Sequence, residues 1–336
     1  MRHILIILSL FLFSFTIISC GSDDGGSSSS DNSSSTTTSD DDSTTDYDST
    51  TDTTAPSIGI SGGGIPTITN DNTPDFSFSS SEAGTITYNG SCSSSTTSAT
   101  TGTNTVTFNT LSDGTYTDCT ITVTDSAGNV SNPLLTTFFT VDTTAPSVSS
   151  ISPTDNQSGV SISDNISVTF YEAMDNVTTN TDNSTCYGSF VLSSDNFSNC
   201  LQMSSSPTSS NSYKKFTIDP SDNLSYSTTY KIRVTTGVKD SAGNTLGSQY
   251  ETSSGFTTED IFVVVGQTGT ILTSLDGITW TSKTSNSSIY LNSVTYGNNI
   301  FVTVGQSGTI LTSSNLNSWD NRTSGTTNLL RTITYG

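Results

Sequence analysis

Few side chains in this chain can do chemistry, and their positions are informative. The 336 residues include one histidine, His3, and five cysteines: Cys20, Cys92, Cys119, Cys186 and Cys200. His3 sits in Met1-Arg2-His3, a short basic start ahead of an apolar run from Ile4 to Ile18. The small residue Ser19 then precedes Cys20. These are the parts of a secretory signal. Once residues 1–19 are removed, no imidazole is left for general acid–base work or for binding zinc, iron or copper. Ser-His-Asp and Cys-His mechanisms are thereby excluded.

The residues around the cut are more specific. Ile17-Ile18-Ser19-Cys20-Gly21 resembles the lipobox of bacterial lipoproteins. The resemblance implies that Cys20 takes a thioether-linked diacylglycerol, becomes the acylated first residue, and brings the chain to a membrane through lipid. Gly21 does not resemble the inner-membrane retention signal of enteric bacteria, so the outer membrane or cell surface is the expected location. Cys92, Cys119, Cys186 and Cys200 remain, an even number in an exported chain, which reads as disulfides. Four cysteines allow three connectivities. Cys92–Cys119 and Cys186–Cys200 are favoured, because each pair then lies within one expected domain. A four-sulfur metal site lacks the C-x-x-C spacing such sites use.

Charge narrows the partners. Arg2 leaves with the signal, so 8 basic residues face 30 acidic ones, a formal charge of −22. Phosphate backbones need a basic face, so nucleic acid is not an expected partner. An anionic membrane surface would be repelled too, which leaves attachment to the lipid. The plain reading of this acidity is solubility. The hydrophobic fraction, 30%, is low for a globular chain. It suits thin sheets wet on one face better than a large enzyme core.

Residues 20–54 are nearly all Ser, Thr, Asp and Gly, with Tyr47 the only aromatic. Such a segment buries too little apolar area to offset its ordering entropy. It is expected to be a disordered tether on the lipid anchor, extended by repulsion among its aspartates.

Two phrases then recur. Asp52-Thr53-Thr54-Ala55-Pro56-Ser57 returns as Asp142-Thr143-Thr144-Ala145-Pro146-Ser147, and Asp125-Ser126-Ala127-Gly128-Asn129 as Asp240-Ser241-Ala242-Gly243-Asn244. Repeated phrases mark tandem modules, here residues 55–142 and 143–258. Within them apolar and hydroxylated residues alternate with period two, as in Asp75-Phe76-Ser77-Phe78-Ser79, Thr120-Ile121-Thr122-Val123-Thr124 and Ile166-Ser167-Val168-Thr169-Phe170. That is the pattern of strands buried on one face. Turn signals such as Ser112-Asp113-Gly114 separate them.

Leu111-Ser112-Asp113-Gly114-Thr115-Tyr116, Val123 to Asn129 and Phe139 to Pro146 together resemble the bacterial Ig-like domains of surface proteins. The second module is similar to the Ig-like module of S-layer proteins, through Ile151-Ser152-Pro153, Val168 to Asp175, Leu224 to Tyr230 and Phe256-Thr257-Thr258. It departs from the pattern around Asn176 to Leu201, expected to be a loop stapled by Cys186 and Cys200. The resemblance implies spacer and adhesion modules, architecture more than activity. Asp125, Asn129, Asp240 and Asn244 are read as structural turn residues, Gly and Asn supplying the positive φ of a tight turn. The other reading of these oxygens is a Ca2+ site, but neither phrase offers a full loop of five or six ligands. No catalytic, cofactor-binding or metal residue is assigned.

Residues 259–336 change character. Phe262 to Ser274 returns as Phe301 to Ser313, Trp280 matches Trp319 and Tyr296-Gly297 matches Tyr335-Gly336, each at an offset of 39. That is the length of a four-stranded propeller blade. Ser274-Leu275-Asp276-Gly277-Ile278-Thr279-Trp280 resembles the Asp-box of sialidase-like propellers. The resemblance implies that Asp276 closes a hairpin and Trp280 packs between blades. The second copy, Ser313 to Trp319, keeps the Trp and loses the Asp-Gly. Two blades fall short of the four to eight that close a propeller, so the sequence is expected to be the N-terminal part of a longer protein.

The expected fold class is all-β: two Ig-like β-sandwiches in tandem plus two blades of an incomplete β-propeller, after a disordered tether. The expected role is non-catalytic display at the cell envelope, with an extracellular glycan or protein as the ligand class. The alternative is a sialidase-like, glycan-active enzyme whose catalytic part lies outside this sequence. Arg322 and Arg331 are too few for the arginine cluster that sialidases use.

Overall fold

The alternating segments form strands wherever one of their faces can be covered. In the computed structural model, which describes residues 51–182 and 185–336, the described part is all-β apart from two short 3-10 turns, Gln267–Gly269 and Gln306–Gly308. The signal, Cys20 and most of the expected tether lie outside the described residues. Among the described residues no helix is long and apolar enough to cross a membrane.

In the first module Ile58–Ile60, Asp75–Ser80 and Gly102–Thr107 form one antiparallel sheet. Ser98–Ala99, Gly84–Asn89, Thr120–Thr124 and Leu134–Leu135 form a second. Phe76, Phe78, Ile121 and Val123 point into a shared core with Phe108, Phe139 and Val141, all nearly inaccessible. The intervening Asp75, Thr120, Thr122 and Thr124 stay wet or half-buried. Cys92 and Cys119 are bonded to each other in this core. The Tyr116 hydroxyl donates to the Ser112 carbonyl at 2.8 Å, fixing the corner before the next strand.

The second module repeats the plan. Val148–Ser152, Ile166–Phe170, Lys215–Ile218 and Thr208–Ser210 make one sheet. Phe190–Ser193, Thr229–Val234 and Tyr250–Glu251 make the other, and Phe256–Thr257 also pairs with Thr229–Val234. Tyr230 marks the equivalent corner, its hydroxyl accepting the Ser225 N–H at 2.9 Å. Cys186 bonds Cys200. The stretch from Asn176 to Leu201 is more than the stapled loop expected from sequence. Its Phe190–Ser193 strand is buried on both faces and pairs with Thr229–Val234 at the centre of the sheet.

Residues 259–336 form two further open sheets. Phe262–Val265, Ile271–Ser274 and Thr281–Lys283 make the first; Leu291–Gly297, Ile300–Gly305, Ile310–Ser313 and Asp320–Arg322 make the second. Ile271, Leu291, Phe301, Leu311, Leu316 and Trp319 form their core, against which Tyr226 of the second module also packs. The tight turns explain the repeated glycines. Gly269 and Gly308 have φ of +72° and +69°, and a Cβ on either would lie within 2 Å of a backbone oxygen, Ser287 O or Thr326 O.

Candidate functional site: the carboxylate clasps at the module junctions

The two Asp-Ser-Ala-Gly-Asn phrases form the same device. Asp125 Oδ1 accepts the N–H groups of Ala127 at 2.8 Å and Asn129 at 2.9 Å. Asn129 Nδ2 donates to Asp125 Oδ2 at 2.8 Å and to the carbonyl of Asp52 at 3.0 Å. In the second module Asp240 Oδ1 accepts from Ala242, Gly243 and Asn244 at 2.8 to 2.9 Å. Asn244 Nδ2 donates to Asp240 Oδ2 at 2.9 Å and to the carbonyl of Asp142 at 2.7 Å. Gly128 and Gly243 supply φ of +94° and +100°. Each turn is therefore a clasp whose asparagine holds the linker that leads into its own module. Hydrogen bonds from Asn129, then from backbone N–H groups, hold the Asp125 carboxyl below its ordinary range.

The linker is held from the other side as well. Asp113, in the Ser112-Asp113-Gly114 turn of the first module, accepts Thr143 N–H at 2.9 Å and the Thr143 and Thr144 hydroxyls at 2.7 Å. Those hydroxyls, Thr144 first, lower the Asp113 carboxyl. Asp142-Thr143-Thr144 thus runs between Asp113 of one module and Asn244 of the next.

Sequence reasoning missed what the clasps bring together. Asp52, Glu82 and Asp125 place carboxylate oxygens within 4.8 Å of one another, and so do Asp142, Glu172 and Asp240. Asp240 is 2% exposed. Burial, then the charges of Asp240 and Asp142, push the Glu172 carboxyl above its ordinary value, with Lys214 opposing. A signal was present: both glutamates precede alanine and both stand 30 residues after their linker aspartate. Three carboxylates at this separation can share a proton or hold a hard cation such as Ca2+. They supply three of the six to eight oxygens that Ca2+ takes. A third Asp-Asn turn, Asp195 with Asn199, has the same i, i+4 bonds at 2.9 and 2.7 Å but no such carboxylate cluster among the described residues. The phrase there is Asp-Asn-Phe-Ser-Asn, so no repeat points to it.

Asp276 and Trp280 occupy a different turn. Asp276 Oδ1 accepts Thr279 N–H at 2.7 Å and Ile278 N–H at 2.8 Å, and Ser274 Oγ lies 2.9 Å away. These bonds bring the Asp276 carboxyl down to about 2. In the second copy Asn315 does the same work, accepting Asn317 and Ser318 N–H at 2.9 and 3.1 Å. Leu316, at φ +62°, stands where Gly277 does. The turn thus survives loss of the Asp-Gly. A polar groove of about 1050 Å³ lies beside it, lined by Asp222, Tyr226, Asp276, Lys283, Tyr296 and Asn299 among others.

Comparison with known proteins gives the modules a family. Two profiles, each described as a bacterial Ig-like domain, match residues 59–143 and 142–258. The chain therefore contains two bacterial Ig-like domains in tandem. No curated protein matches it. Among solved structures, domains 1–6 of the surface layer protein SbsC align at 17% identity over 57% of this chain and 26% of that one, with a TM-score of 0.25. The N-terminal part of the same S-layer protein aligns at 16% identity over 56% of this chain and 44% of that one, also at 0.25. The chain thus spans under half the length of either. The sialic acid binding region of the Streptococcus sanguinis SK1 adhesin aligns at 10% identity over 84% of this chain and 98% of that one, at 0.19. TM-scores this low carry no argument about fold or function.

Proposed function

We propose that this chain is a lipid-anchored bacterial cell-envelope protein without catalytic activity, at the outer membrane or cell surface. It displays residues 55–142 and 143–258 as spacer and adhesion modules and residues 259–336 as propeller-like sheets that meet an extracellular glycan or protein. The observation that carries the reading is the pair of bacterial Ig-like domains joined by a doubly held linker. A linker gripped from both sides suits a stalk that keeps its outer end away from the bilayer. The propeller-like reading rests on the 39-residue repeat and on the second sheet, four antiparallel strands in sequence order. The groove beside Asp276 is the concave surface a ligand would enter.

The enzyme alternative has less support. Asp276 holds its proton too weakly, at about 2, to serve as a general acid near neutrality. Arg322 pairs with exposed Asp320 at 3.2 Å on an outer strand. The anchor is tested by feeding cells a palmitate analogue. The full chain is expected to take the label and to sediment with membranes, and Cys20→Ala to lose both. Unchanged membrane retention of the variant would overturn the anchor.

A further inference from the structure

The groove beside Asp276 is lined by the second Ig-like module and by both C-terminal sheets. Both copies of the repeated turn reach it, the first through Asp276 and Thr279, the second through Asn315 and Asn317. Each turn uses one oxygen. Asp276 Oδ1 takes the Ile278 and Thr279 N–H groups and the Ser274 hydroxyl, and Asn315 Oδ1 takes the Asn317 and Ser318 N–H groups. Asp276 Oδ2 and Asn315 Nδ2 have no hydrogen bond among the described residues. The exchange of Asp for Asn between copies thus leaves a free acceptor and a free donor along one groove.

Two tyrosines complete the lining. Tyr226 and Tyr296 both rest on Phe301, which is 1% exposed, with ring centroids 6.2 Å and 4.2 Å away. Contact with a core ring holds each of these half-buried side chains in place. The Tyr226 hydroxyl has no hydrogen bond among the described residues. Burial, then the charges of Glu259 and Tyr296, raise its phenol, so it stays a donor at neutral pH.

Charge and hydrogen bonding select the ligand. Asp222 and Asp276 are the carboxylates of the lining, and Lys283 is its one cation among the described residues. Lys283 Nζ already donates to Asn317 Oδ1 at 2.8 Å. An anionic ligand therefore meets an excess of negative charge. A cationic ligand uses acceptors alone and leaves the amide and phenol donors unpaired. A hydroxyl donates and accepts at one atom. Adjacent hydroxyls of a sugar ring match such a mixture, and the C–H face of the ring matches a tyrosine. Leu275 is the only exposed aliphatic side chain of the lining among the described residues, so apolar peptide side chains find little cover. At about 1050 Å³ the groove is as large as the biggest small-molecule pockets, room for several sugar rings.

We infer that this groove binds an uncharged oligosaccharide, whose hydroxyls pair with Asp276 Oδ2, Asn315 Nδ2 and the Tyr226 phenol. This narrows the extracellular ligand of the display reading, on which it rests, to a neutral glycan.

The full chain is titrated by calorimetry in a detergent without a sugar headgroup. The neutral probes are gluco-, manno-, galacto- and xylo-hexaose. Sialyllactose, a chitosan hexamer and gelatin peptides are the anionic, cationic and polypeptide probes. At least one neutral hexaose is expected to bind, with an affinity unchanged between about 0.05 and 0.5 M salt. Asp276→Asn is expected to weaken that binding about tenfold. Its turn should survive, since Asn315 closes the equivalent turn, and unchanged circular dichroism checks this. Tyr226→Phe keeps the ring, removes only the hydroxyl and is expected to cost a similar factor. Asp320→Asn, exposed and outside the groove, is expected to change nothing. The proposal is overturned by no binding of any hexaose at about 1 mM, or by binding of sialyllactose, chitosan or gelatin alone. Neutral binding that Asp276→Asn and Tyr226→Phe both leave unchanged overturns it as well. A chain that takes the palmitate label and sediments with membranes but binds no hexaose loses the groove's ligand and keeps the anchored display. Binding without label or sedimentation does the reverse.

Discussion

At the scale of single residues, the junctions are built from carboxylates that do not all want to be charged. Asp125 and Asp113 are held ionised by donors, whereas Glu172 faces Asp240 and Asp142 across a half-buried gap. A carboxyl raised in the folded state binds protons more tightly there than in the unfolded chain. Its unfavourable share is absent below the ordinary value of 4.5, grows as pH rises through and above it, and is complete once the folded group has ionised. Glu172→Gln keeps the shape and removes that charge. The expected outcome is a melting temperature equal to the parent's near pH 4 and higher than the parent's at pH 7, read by calorimetry in EDTA. A higher melting temperature for the parent at pH 7 would show that the third carboxylate is stabilising. The clasp aspartates and asparagines were legible in sequence because whole phrases repeat. Glu82 and Glu172 share only a following alanine and a spacing of 30 residues from the linker aspartate, a signal that acquires meaning once the fold brings the carboxylates together.

At the scale of elements, alternation of apolar and hydroxylated residues located strands and failed where an apolar run has no period. Asp75–Ser80, Thr120–Thr124 and Ile166–Phe170 were read directly. Phe190–Ser193 reads as loop in the sequence, because Phe-Val-Leu is a short apolar run without period and a cysteine flanks it on either side. Its burial makes it a support of the second module: Phe190 and Leu192 are wholly inaccessible and Val191 is 2% exposed. Leu192→Ala is expected to cost about 2–5 kcal/mol, the range for a leucine removed from a packed core. The Cys186–Cys200 bond closes a separation of 14 residues around this strand. Its loss is expected to cost about 3 kcal/mol by chain entropy. For Cys92–Cys119, separated by 27 residues, the figure is about 3.5 kcal/mol. Denaturant unfolding of paired Cys→Ser variants measures both, and a destabilisation confined to the altered module would mark the modules as separate folding units. The 39-residue period gave the sheets, but the strand missing from the first of them is a fact of pairing that no repeat reveals.

At the scale of the whole molecule, the stalk's reach depends on whether its hinge is stiff. Asp142-Thr143-Thr144 could swivel freely were it merely a linker, yet three acceptor contacts from Asp113 and one donor contact from Asn244 tie it to both neighbours. Each hydrogen bond is worth only about 1 kcal/mol net. Together they are enough to favour one angle between modules over many, without adding much to the stability of either sandwich. Asp113→Ala with Asn244→Ala is therefore expected to broaden the distance distribution from small-angle scattering and raise the radius of gyration. The melting temperature of the first module should move little, since Asp113 lies at its surface. Acid should do the same to the parent chain. The Asp113 carboxyl is depressed by its threonine donors, so its hold on the linker is complete above the ordinary value of 3.8 and is lost as pH falls through the lower folded value. Stiffening should thus persist at pH 5 and fade only as pH falls well below 3.8 in the parent, while the double variant is loose at every pH. Equal scattering profiles for parent and variant at neutral pH would place the stiffness elsewhere, in the packing of the modules rather than in the clasp.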